Sequence, residues 1–311
     1  MTPTVEIKTI LVTSVARMDM HRANSGQNML GNATAIKRRN DGRVYISGQM
    51  QRHALFQSID RLNDKPDTYV SNGDGTSFMI ERDLRADLGG FLLTEIAGEP
   101  GRRTSPVSAM PAVALEPSNT VSDMLLRLST QDDRQNIATM ELSESDEMCA
   151  SFSLDCTTLS TSKRHTYEAK ATDRGIHVDT EIVQHVDATE RKRRARLFLE
   201  ATRFVMDYSS QARNATTAEP QRVLVVLDPV HSRKAARYFQ AGETERQNIM
   251  EDLEARDARY FIGDDTSPEG SSVREAYEEA LQVLEQATLA GGSENVLPYA
   301  ETFEAMEPFR S

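Results

Sequence analysis

The sequence predicts an α+β fold: a ferredoxin-like sheet backed by helices and interrupted by two polar excursions. Three observations lead there. Residues 5–18 (VEIKTILVTSVARM) are β-branched and roughly alternating. Residues 222–228 (RVLVVLD) form a continuous apolar run between Pro220 and Pro229. Stretches of helical period fall between and after these segments.

Taken in order, the first strand is followed by residues 21–43 (HRANSGQNMLGNATAIKRRNDGR), which lack helical period and read as a long polar loop. VYIS at 44–47 is a short apolar run. From Gly48 a helix begins, with Leu55, Phe56, Ile59 and Leu62 on one stripe, and it ends near Asn63 before Pro66. Residues 64–147 are rich in Gly, Pro, Asp and Ser and read as an inserted subdomain, with one helix expected over Ser122–Leu128. Residues 148–160 (MCASFSLDCTTLS) alternate and form a second core strand. Residues 161–187 carry Asp173-Arg174-Gly175, a turn signal that predicts a protruding hairpin. A helix is expected from about Thr189 to Tyr208, with Ala195, Phe198, Leu199, Thr202, Val205 and Met206 in period. After the central 222–228 strand come a polar helix near 243–256, a strand at 258–265 and a helix at about 271–288. Without the two excursions the order is strand, helix, strand, helix, strand, strand, helix. That order is compatible with the sheet of RNA-recognition folds.

Composition bounds what the fold can do. The chain has 311 residues, a hydrophobic share of 38%, no Trp and a net charge of −12. A uniformly acidic surface repels nucleic acid, so any such contact must come from local basic patches. The two cysteines, Cys149 and Cys156, form no C-x-x-C pair and have no neighbouring His, which argues against structural zinc and suits a reducing cytoplasm. The first residues read as a strand rather than a signal peptide, and no run of about 18 apolar residues is present to cross a membrane.

Three segments carry a family resemblance. In the first, residues 31–59 (GNATAIKRRNDGRVYISGQMQRHALFQSI), a Gly/Asn loop and a basic patch precede a strand ending in Ser-Gly-Gln and a helix opened by an Arg. The second is DLGGFLLT at 87–94 with RRTSPVSAMPAVAL at 102–115. The third is SFSLD at 151–155 followed by the loop YSSQARNATTAEP at 208–220. Together these resemble the backbone subunit of type I CRISPR surveillance complexes (Cascade), in its DevR autoregulator-like branch of the RAMP superfamily. The resemblance spans most of residues 5–230. One departure is Ser209-Ser210, where a glycine is expected.

The resemblance implies a hand-like subunit whose copies stack as a right-handed filament along one guide crRNA. An RNA-recognition-like palm would comprise 1–63, 148–160 and 188–311. An inserted finger would occupy 64–147 and a thumb hairpin 161–187. Neighbouring thumbs would kink the guide and leave the bases between free to pair with target DNA. The implied partners are crRNA, target DNA through it, other copies of the chain, other Cascade subunits and a recruited helicase-nuclease, in the cytoplasm and with no membrane or cofactor.

The candidate RNA-binding residues follow from charge and position. Lys37, Arg38 and Arg39 place three cations on one loop, which suits a polyanion or simply a solvated surface. Ser47, Gln49, Arg52 and His53 sit where a strand meets a helix N-terminus. Ser47 suits capping, and an anion would explain Arg52 in a first turn whose dipole disfavours cations. Arg22 and Asn24, with Gln27 and Asn28, lie in the polar loop after the first strand. Lys163 and Arg164, with His165, open the hairpin. Arg213 lies in the small-residue loop that the family places near RNA. The densest cluster, Arg191, Lys192, Arg193, Arg194 and Arg196, wraps a helix start, and some of its members should pair with Glu190 and Glu200.

No catalytic or metal-binding residues are assigned. The six histidines are scattered, with no pair brought together by spacing, and phosphate-loop, HExxH and G-x-S-x-G motifs are absent. The expected function is therefore a non-catalytic guide-RNA filament subunit. Two alternatives stay open: a metal-independent endoribonuclease using His53 or His165, and a transcriptional autoregulator.

Overall fold

The structure is a computed structural model and describes residues 5–29, 33–72, 77–96, 99–128, 135–168 and 176–304. The first elements are β1 (Glu6–Ile7), β2 (Thr9–His21), β3 (Gln27–Asn28), β4 (Ala33–Ala35), β5 (Tyr45–Ile46), α1 (Gly48–Leu62) and α2 (Leu84–Gly89). Next come β6 (Phe91–Ile96), β7 (Glu99–Arg103), β8 (Val107–Ala109), β9 (Ala112–Ala114), β10 (Thr120–Leu128) and β11 (Gln135–Asp155). They are followed by β12 (Thr161–Glu168), β13 (Ile176–Gln184), α3 (Ala188–Ala201), β14 (Arg222–Asp228), α4 (Glu243–Ala255) and β15 (Arg259–Asp264). The last are α5 (Val273–Gln286), β16 (Thr288–Leu289) and α6 (Tyr299–Glu304).

The central sheet runs β15-β14-β2-β11, with every neighbouring pair antiparallel. Parity explains why RVLVVLD is apolar throughout. Val223, Val225 and Leu227 join Ile10 and Val12 against Leu55 and Ile59 of α1, Ala195 and Phe198 of α3, and Tyr277 and Leu284 of α5. Leu224 and Val226 point the other way and join Leu11 against Ala235, Ala236, and Ile249 and Leu253 of α4. Successive side chains of a strand face opposite sides, so a strand covered on both must be apolar at every position.

The α+β class holds, and the hairpin, the first helix and the C-terminal elements lie where the sequence placed them. Strands β2 and β11 are directly hydrogen-bonded, Thr9 opposite Asp155 through His21 opposite Ser143, and β14 pairs with the other edge of β2.

Four differences are local. Thr120–Leu128 is a strand and not a helix: it pairs residue by residue with Gln135–Ser143 of β11. A short apolar run does not by itself separate the two, and the cross-strand partner decides. The second core strand begins at Gln135, so a boundary at residue 148 falls inside one continuous strand. Helix α3 stops at Ala201, where Thr202 turns its hydroxyl onto the Leu199 carbonyl at 2.7 Å. Helix α2, with Asp83 as its N-cap, was not anticipated. The Asp173–Gly175 turn lies outside the described residues; the strands on either side of it pair antiparallel.

Candidate nucleic-acid interface

Strand β2 ends at His21, whose Nε2 lies 2.7 Å from Asp146 Oδ2, both buried. Its Nδ1 accepts from the Ala23 N–H at 3.4 Å, so the Nε2 proton is the one given to Asp146. Burial works to raise the Asp146 pKa, but bonds from His21, Ser118 and Ser143 leave it below its ordinary value. This pair fixes the base of the loop that follows. Asn24 holds the loop's middle. Its Nδ2 donates to the carbonyls of Lys37 at 2.9 Å and Tyr45 at 3.0 Å, and its Oδ1 accepts from Gly26 N at 3.0 Å.

Arg22 is the unusual member of the loop. It is only 6% exposed, its Nη2 donates to Ser25 O at 3.2 Å, and its buried Nε has no partner. Among the described residues no carboxylate pairs with it. Burial, and then the charge of Arg213, lower its pKa. Gly26 makes room for it: at φ +67° a Cβ there would lie 2.5 Å from Arg22 Nη2.

Arg213 arrives from the second loop, 208–218. Ser209 N donates to Ala23 O at 3.3 Å, and Asn214 Nδ2 donates to Met20 O, so the two loops are bonded together. Ser210 sits at φ 65°, in the left-handed region, and its carbonyl accepts from Arg213 N at 3.0 Å and Asn214 N at 2.9 Å. This explains the expected glycine: the backbone adopts a glycine conformation with a serine in place. Two cations, one buried and one exposed, thus lie on two loops that are far apart in sequence and bonded together.

The other candidates lie in different settings. In the 37–43 patch, Arg38 is 3.6 Å from Glu141 and Arg39 is 3.3 Å from Asp41. Lys37 has no ion pair among the described residues. Ser47 Oγ accepts from Met50 N at 3.3 Å and caps α1, beside exposed Gln49 and His53. Arg52 needs no anion to explain it. Its Nη2 donates to Gly89 O and its guanidinium stands 5.6 Å from the Phe56 ring centroid, with Arg85 5.0 Å from the same ring. At the hairpin base Lys163 is exposed, Arg164 Nε bonds Glu181 at 3.1 Å, and His165 Nδ1 is 2.9 Å from Thr180 Oγ1.

Within the α3 cluster Arg191 and Arg194 are buried, while Arg196 is exposed. Arg191 donates to the carbonyls of Cys156, Leu159, Leu289 and Ala290. Arg194 bonds Asp87 and Glu190, Arg193 bonds Glu190, Arg196 bonds Glu200 and Glu285, and Lys192 bonds Glu285 O. All five cations of this cluster therefore have partners within the chain. Among the described residues no cluster of His, Cys, Asp or Glu is arranged to hold a metal ion.

Comparison with solved structures shows the fold. Two of them share this fold, one described as a CRISPR RNA-guided surveillance complex and one as the same in a pre-nicking state. The first has a TM-score of 0.54 at 14% identity and covers 88% of this chain and 98% of its own. The second has a TM-score of 0.55 at 10% identity and covers 89% and 99%. Sequence then shows the family. Residues 13–232 match the family described as CRISPR-associated negative auto-regulator DevR/Csa2, and the chain belongs to that family. No curated protein matches it in sequence.

Proposed function

We propose that this chain is a non-catalytic, crRNA-binding backbone subunit of a type I CRISPR surveillance complex. The observation that carries this is the meeting of the two loops that bear Arg22 and Arg213, bonded Ser209 N to Ala23 O and Asn214 Nδ2 to Met20 O. In a chain of net charge −12, Arg22 is buried there and among the described residues no carboxylate pairs with it. That arrangement costs free energy in the free protein and is relieved by an anion, and RNA phosphate is the anion that family and fold both favour. Lys37, Arg38 and Arg39, the α1 N-terminus at Ser47 and Gln49, and Lys163 at the hairpin base extend the contact along the backbone. Asn24 holds the loop rather than reaching the RNA.

In the same proposal the thumb is the β12–β13 hairpin, the finger is the insertion between α1 and the first half of β11, and the rest is palm. Several copies lie along one guide and leave spacer bases free to pair with target DNA. Other Cascade subunits and a helicase-nuclease act beside it. Histidine placement supports a non-catalytic role: His21 and His185 are buried and hydrogen-bonded, and His53 and His165 lie on different elements. An autoregulator reading a DNA duplex needs a basic helix for the groove, and the cations of α3 are committed within the chain.

The test is purification after co-expression with the neighbouring Cascade genes, followed by a denaturing gel of the bound nucleic acid. A protected RNA of discrete length, lost on combined replacement of Arg22 and Arg213 by Ala, is expected. Nucleic-acid-free protein from every preparation overturns the proposal.

A further inference from the structure

Tyr208 stands at the point where the chain leaves the helical layer and enters the loop that carries Arg213. Its side chain is buried, and its hydroxyl donates to Gln51 Oε1 on α1 at 2.9 Å. Gln51 is completely enclosed, and its Nε2 has no hydrogen-bond partner. Turning the amide over exchanges its two ends but still leaves one of them open. A buried unsatisfied amide group is costly, so something must meet it.

Gln51 also lines a small cavity of about 10 Å³ between the sheet, α1 and the 202–218 segment, with Ser14, Thr202 and Tyr208 as its other polar lining. That volume is close to the space for one water, and the lining supplies polar partners of the kind a buried water requires. The Gln51 amide in turn holds the Tyr208 hydroxyl.

What lies beyond Tyr208 gives this bond its consequence. Ser209 N bonds Ala23 O, Ser210 takes its left-handed conformation, and the Ser210 carbonyl receives the amides of Arg213 and Asn214. The segment from Tyr208 to Arg213 is thus pinned by backbone bonds at Ser209 and Ser210, and Tyr208 stands at its base. Neither Gln51 nor Tyr208 is exposed, so neither touches a ligand.

We infer that Gln51 and Tyr208, completed by one internal water, are positioning residues that hold the loop of Arg213 against that of Arg22. This rests on the reading of these two loops as an RNA site. Four full-length chains test it by anisotropy of a fluorescein-labelled single-stranded RNA across a salt series: wild type, Tyr208→Phe, Arg213→Ala and the double variant. Tyr208→Phe keeps the ring and removes only the hydroxyl. It weakens binding roughly fivefold near physiological salt and lowers the salt slope by about one, as Arg213→Ala does. The double variant binds no worse than Arg213→Ala, because both losses act through one side chain. Gln51→Met, similar in volume and apolar, behaves as Tyr208→Phe does. Additive losses, or an unchanged slope in Tyr208→Phe, overturn the inference.

If Arg213→Ala binds RNA as the wild type does, the RNA reading of the two loops has failed, and hydrogen exchange decides the positioning role separately. Faster exchange of the 209–216 amides in Tyr208→Phe supports it, and unchanged exchange overturns it.

Discussion

Asp87 and Arg194 form an ion pair at 2.7 Å in which neither side chain is exposed. Asp87 Oδ2 also accepts from Ser160 Oγ at 2.5 Å, and Oδ1 accepts from Arg103 Nη2 at 2.5 Å and Ser160 N at 2.9 Å. One carboxylate therefore joins helix α2, the base of the β12–β13 hairpin and helix α3. A buried charge is tolerated only when its partners are complete, and here they are.

Removing that carboxylate leaves buried Arg103 without its counter-charge and Arg194 with Glu190 alone. Asp87→Ala should destabilise the protein by about 3–5 kcal/mol, the usual cost of breaking a buried pair from one side. Urea denaturation followed by circular dichroism measures it. A loss comparable to that of a surface Asp→Ala substitution such as Asp67→Ala would contradict the role given to the network.

The same network sets a pH dependence. Burial works to raise the Glu190 pKa, but Arg193 and Arg194 prevail and bring it down to about 2. Asp87 is likewise lowered, against burial, by Arg103 and Arg194. Folded-state values below the unfolded ones mean stability that is present above the ordinary carboxylate range and is lost as pH falls through it towards the folded values. Stability should hold from neutral pH down to about 5 and then fall steadily towards about pH 2. Glu190→Gln should flatten part of that fall, and urea midpoints across the acid range check it.

Arg22 should be a residue whose loss stabilises the free protein while weakening binding. Arg22→Met keeps much of the volume and removes a buried charge that repels Arg213. Thermal unfolding should move up or stay level, while RNA affinity drops and the salt slope falls by about one. A marked fall in the midpoint would show that Arg22 is structural.

Ser210 holds a left-handed backbone conformation that glycine adopts without steric cost. Ser210→Gly should raise stability by about 0.5–1 kcal/mol and leave RNA affinity unchanged, since the loop shape is preserved. Destabilisation on chemical denaturation would contradict the strain assigned to this residue.

Much of the fold was legible because periodicity reports burial. The alternation of 5–18, the continuous run at 222–228 and the stripe through Leu55, Ile59 and Leu62 each answer to a layer of the structure. Thr120–Leu128 was misread because its strand character comes from β11 beside it, not from its own residues. The candidate site was legible residue by residue, but not as an arrangement. Arg22 and Arg213 are named by charge and loop composition, yet only the Ser209–Ala23 and Asn214–Met20 bonds bring them together. The α3 arginines carried a signal that was present from the start. Arg191, Arg194, Ala195 and Phe198 share one helical face, and a cation on an apolar face points to a buried partner rather than a ligand.

The most direct measurement is ultraviolet crosslinking of RNA to the full-length chain, with the crosslinked peptides identified by mass spectrometry. If RNA lies against the loops of Arg22 and Arg213, the peptides spanning residues 20–28 and 208–217 carry the nucleotide adducts. Adducts confined to the α4–α5 surface, or none at all while RNA is bound, would contradict it.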